Sequence, residues 1–61
     1  SRGEALYVMG FPQNAKLGPD LVKSRFRMLA SIHHPDSAYG DTRRMSQLNQ
    51  AMAKLRSLGY S

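Results

Sequence analysis

The chain has no cysteine, only four acidic residues among its 61, and no long hydrophobic run. Each shortage excludes something. Without cysteine there is no disulfide framework, no thiolate metal site and no cysteine nucleophile, so the packing of secondary structure has to supply the stability. The longest uninterrupted apolar stretch runs from Ala5 to Met9, far short of the roughly 20 residues that a membrane span requires. No pattern of basic, apolar and small-residue regions opens the chain as a signal peptide would, so no membrane contact is expected of this segment. Its abrupt start and stop fit a piece of a longer protein. Lack of cysteine suits a reducing compartment, and the expected location is cytoplasmic, with an organellar or membrane-tethered parent protein remaining compatible.

What is present is positive charge. Nine Lys and Arg against four Asp and Glu give a formal charge of +5, which predicts attraction to nucleic acid, an anionic membrane or an acidic protein face. Charge alone does not choose among these. The length allows one domain with a thin core, because a chain of about 60 residues buries only ~60% of its unfolded surface.

Three helices are expected, over about 2–9, 19–33 and 42–58, with a loop over 34–41. Ser1 and Glu4 have the spacing of a capping box. Ala5, Leu6, Val8 and Met9 supply apolar area to the first helix, and Gly10 suits a left-handed stop with Pro12 just beyond it. Residues 11–18 read as a connection. Pro19 fits a first helical position, and Asp20 sits where a carboxylate favours the helix dipole. Val22, Phe26, Leu29, Ala30 and His33 then share one helical face. Asp41 or Thr42 suits a cap for the third helix, in which Met45, Leu48, Ala51, Met52, Leu55 and Leu58 recur at helical spacing before Gly59. No strand signal, repeat or low-complexity tract interrupts this reading. The expected fold is all-α, an antiparallel hairpin of the second and third helices with the short first helix packed across it.

The informative residues lie at the corner of that hairpin. Proline fixes its own backbone, disfavours helix at the residue before it and cannot donate a backbone hydrogen bond. The helix must therefore end at His34-Pro35-Asp36, presenting a histidine and an aspartate at a rigid turn where a partner meets them at little ordering cost. Lys23, Arg27 and His34 fall within about 40° of one another on an extended helical wheel, so a basic stripe points at the loop. An acidic groove on a partner would meet the stripe and the loop together, with charge acting mainly on the association rate.

These features resemble the J domain family of co-chaperones over nearly the whole chain. The stretch from Val22 to His33 is similar to that family's second helix: an aliphatic, a basic pair, an aromatic, further basic residues, then Leu29-Ala30. Leu48-Asn49-Gln50-Ala51-Met52 resembles its third-helix signature, and Ala5-Leu6-Tyr7-Val8-Met9-Gly10-Phe11 its opening helix. The short loop and the lack of a fourth helix are similar to the compact J domains of the mitochondrial import motor and the polyomavirus T antigens.

The resemblance implies a module that docks on a DnaK-type chaperone of the 70 kDa heat-shock class and stimulates its ATP hydrolysis without chemistry of its own. On that basis Lys23, Arg27, His34, Pro35 and Asp36 are the expected partner-binding residues, with Arg25 and Asn49 secondary. Asp36 would accept a charge-assisted hydrogen bond from a partner arginine, and a neutral His34 would suffice. Departures weaken the expected contact: Met28 stands where a second basic residue is common, and Ser37 where a lysine or arginine usually follows the tripeptide. Met52 replaces a usual aromatic as a core filler. Leu21, Met28 and Ile32 form a second apolar stripe opposite the core, interrupted by Arg25, which is a candidate for a further protein contact.

The alternative is a small basic nucleic-acid-binding module, for which Arg43-Arg44 would suit phosphate contacts. Its aromatics, Tyr7, Phe11, Phe26, Tyr39 and Tyr60, are too scattered for a stacking platform, and a helix-turn-helix wants a tighter turn. An enzyme is not expected. His33, His34 and Asp36 diverge around the proline, no further Cys, Glu or His completes a metal set, and no cofactor is implied. A degenerate J-like regulator that docks without stimulating would typically have lost the tripeptide.

Overall fold

A computed structural model describes residues 1–60. Its three helices are α1 (Arg2–Met9), α2 (Pro19–His33) and α3 (Thr42–Ser57). No strand occurs among the described residues.

The ends of the helices follow from local chemistry. The Ser1 hydroxyl accepts the Glu4 N–H at 3.3 Å and donates to the Glu4 carboxylate at 3.3 Å, so the carboxylate meets the hydroxyl instead of the Ser1 N–H that the full capping box would use. Gly10 ends α1 in the left-handed conformation, with φ of 78°. Phe11 N–H then reaches back to the Leu6 carbonyl at 2.9 Å, the wrap-around pattern that satisfies last-turn carbonyls. Pro19 opens α2, with Asp20 in its first turn. Asp41 is the cap of α3, its Oδ1 accepting from Arg43 N–H at 2.8 Å and Arg44 N–H at 3.3 Å.

α3 is the centre of the packing. Leu48, Ala51, Met52 and Leu55 are buried on it, and both other helices lie against it, whereas α1 and α2 touch each other little. α2 turns back through loop 34–41 to form the expected hairpin with α3. The more extensive contact, however, is between α1 and α3. The reason is apolar payload: α1 buries Ala5, Leu6 and Met9, while α2 buries Val22 alone. Phe26, Leu29 and Ala30 pack against the core while half-buried.

Two features differ from the periodicity. Leu58, expected on the core stripe of α3, is 43% exposed. The helix stops at Ser57, and Gly59, with φ of 90°, lets Tyr60 N–H turn back to the Leu55 carbonyl at 3.0 Å; the turn carries Leu58 off the helical face. The connection after α1 is also more than a linker, since Phe11 is buried and Ala15 and Leu17 pack against the core.

Candidate partner-docking site

The His34-Pro35-Asp36 corner is held by backbone hydrogen bonds on both sides. His34 caps α2, its N–H still bonded to the Ala30 carbonyl at 2.9 Å while its own backbone is extended, with ψ of 138°. That conformation is what the following proline demands. The His34 carbonyl then accepts Ser37 N–H at 2.8 Å, and the Ser37 carbonyl accepts Gly40 N–H at 3.0 Å. Asp41 N–H closes the loop onto the His33 carbonyl at 3.0 Å. The last residue of α2 and the cap of α3 are thus tied directly together.

Gly40 makes this closure possible, and the sequence reading did not find it. A Cβ at position 40 would collide with the His34 carbonyl oxygen and stand 2.9 Å from Pro35 Cα. The neighbours are backbone, so no side-chain rotation relieves the clash. The available signal was a glycine one residue before the α3 cap.

Within the corner, His34 Nδ1 accepts the Asp36 backbone N–H at 3.3 Å and lies 3.6 Å from the Asp36 carboxylate. A neutral ring accepting at Nδ1 carries its proton on Nε2. The carboxylate of Asp36 is 94% exposed and the His34 ring 57%, so both face solvent from a fixed turn. Lys23 and Arg27 are exposed on α2 and make no ion pair or side-chain hydrogen bond among the described residues. The stripe therefore presents two free cations on the helix that ends at His34.

The remaining expected residues fall elsewhere. Arg25 is half-buried and turned onto the end of α1, where Nη1 donates to the carbonyls of Met9 and Gly10, both at 3.3 Å. Its guanidinium also lies 4.7 Å from the centroid of the Phe11 ring. A cation at a helix C-terminus satisfies orphan carbonyls and complements the dipole, so Arg25 braces α1 against α2. Asn49 is exposed on α3. Leu21, Met28 and Ile32 are 45%, 48% and 41% exposed, placing the second apolar stripe on the surface.

His33 parts from His34 at the proline. It is half-buried, and its Nδ1 is buried without a hydrogen-bond partner. Among the described residues no group of three or more His, Cys, Asp or Glu is placed to hold a metal ion, and no helix is long and apolar enough to cross a membrane. No protein-family model, curated protein or solved structure matches the chain.

Proposed function

We propose that this chain is a J-domain-like co-chaperone module that docks on the ATPase domain of a DnaK-type chaperone and accelerates its ATP hydrolysis. The observation that carries the reading is the rigid corner at which Asp36 stands almost fully exposed beside His34, directly after a helix carrying the unpaired Lys23 and Arg27. A partner with an acidic groove meets complementary charge along α2 and finds Asp36 ready to accept from an arginine, a bond that is both shorter and stronger than a neutral one. His34 offers its Nε2 proton and a ring face, with its orientation fixed through Nδ1.

The activity is that of an allosteric effector. Binding energy at the loop favours the hydrolysis-competent state of the chaperone, and only contacts made more strongly in that state shift the balance. Charge along α2 brings the partners together quickly; the loop contacts discriminate between its states. Met28 and Ser37 leave the positive surface smaller than is usual in the resembled family, so docking is expected to be weak and salt-sensitive.

The test is stimulation of single-turnover ATP hydrolysis by a DnaK-type chaperone. Acceleration that is lost in Asp36→Asn supports the reading. No acceleration, together with salt-dependent binding to DNA, decides for the nucleic-acid alternative.

A further inference from the structure

We propose that the seam between α1 and α3 is a second docking groove, suited to an extended segment of a partner protein that carries aliphatic side chains followed by an acidic residue. Two cavities, of about 590 Å³ and about 250 Å³, open along this seam. Both are lined by Tyr7, Val8 and Gln47, so the two adjoin along the seam and together make up the groove. Its larger part is lined by Ala5 and Ala51, small side chains that leave room between the helices, by the amides of Gln47 and Gln50 on the α3 bank, and by the charged Glu4 and Lys54.

Its smaller end has a different chemistry. There His33 and Arg44 line the cavity. The Arg44 side chain makes no ion pair or hydrogen bond among the described residues, whereas the His33 Nδ1 is closed off from solvent and does not face a ligand. Arg44 also sits in the first turn of α3, whose amides the Asp41 carboxylate already caps, so the guanidinium itself is the cationic group at this end. A carboxylate is the complement of this end, since guanidinium binds it through a two-pronged fork. The larger part balances Glu4 against Lys54, so Arg44 leaves the lining with a net positive charge; its small apolar side chains complement aliphatic groups, and primary amides on its bank suit the peptide groups of an extended chain. Tyr7, 80% exposed on the opposite bank, is of the residue type that anchors interfaces while leaving its hydroxyl wet.

The inference does not depend on the co-chaperone reading. None of Lys23, Arg27, His34, Pro35 and Asp36 lines the groove, and the two surfaces are separately testable.

The experiment is a titration of the ¹⁵N-labelled chain with acetyl-Leu-Ala-Leu-Asp bearing a free carboxylate, beside acetyl-Leu-Ala-Leu-Asn amide as the neutral control. The expected result is saturable shifts of the amides of Tyr7, Val8, Arg44 and Gln47, with the acidic peptide binding about fivefold or more tighter. Arg44→Gln, an exposed change that leaves the core intact, should reduce the acidic peptide to the level of the neutral one. Tyr7→Ala should weaken both. The proposal is overturned by the absence of saturation up to about 5 mM peptide, by equal affinity of the two peptides, or by shifts confined to α2. Saturation of the same residues by a short single-stranded oligonucleotide, and not by peptide, also overturns it.

Discussion

The α-carbon of Gly40 lies so close to the carbonyl of His34 that a single added methyl group would collide with it. This approach of two backbone segments, six positions apart, fixes the shape of the exposed corner. Gly40→Ala must therefore open the loop. We expect a loss of about 1–3 kcal/mol in stability, read by chemical denaturation, and a larger proportional loss of chaperone stimulation than of helix content by circular dichroism. Ser37→Ala, which keeps the backbone bonds of Ser37, should leave stimulation nearly unchanged.

Arg25 should matter for folding more than for docking. Its guanidinium serves two carbonyls and one aromatic ring at the end of α1. Arg25→Ala should cost about 1–2 kcal/mol in the free energy of unfolding. Arg25→Lys should recover only part of this, because an ammonium lacks the planar fork. Equal stability of all three proteins would show that the brace contributes nothing.

The core assignment is tested by two leucines three positions apart, Leu55 inside α3 and Leu58 just past its end. Leu55 is fully buried and Leu58 is 43% exposed. Leu55→Ala should lose about 2–5 kcal/mol, enough to unfold much of a domain this small, whereas Leu58→Ala should stay within about 0.5 kcal/mol of the parent. Urea midpoints of the two variants decide the matter.

Charge reversal on α2 separates steering from contact. Lys23→Glu with Arg27→Glu should slow association with the chaperone and flatten its dependence on salt. The fold should tolerate both changes, since both side chains are exposed and unpaired. Stopped-flow association at low and high ionic strength measures the effect.

Much of the fold was legible from residues that act locally. Gly10, Pro19 and Asp41 mark helix ends through their own backbone or side-chain chemistry, and the helices begin and end at or next to the positions those residues indicate. What local signals could not carry is which face meets which. A helical wheel placed Arg25 in the outward stripe of α2 because it has no knowledge of where α1 ends; the Met9 and Gly10 carbonyls lie beside it only in the folded chain. Leu58 looked apolar and periodic, yet the turn at Gly59 removes it from the repeat. The corner itself could be read from the proline alone. Its support by Gly40 could not, because the constraint is a contact between backbones rather than a property of glycine in a loop.

The measurement closest to the central claim is single-turnover ATP hydrolysis by a DnaK-type chaperone, with the wild-type chain compared with His34→Gln and Asp36→Asn, each shown to be folded by circular dichroism. The account predicts acceleration by the wild type and a loss of roughly tenfold or more of that acceleration in Asp36→Asn, with His34→Gln also impaired, in keeping with the cost of removing one member of a charge-assisted contact. A wild-type chain that leaves the rate unchanged, or folded variants that stimulate as well as it does, would contradict the account.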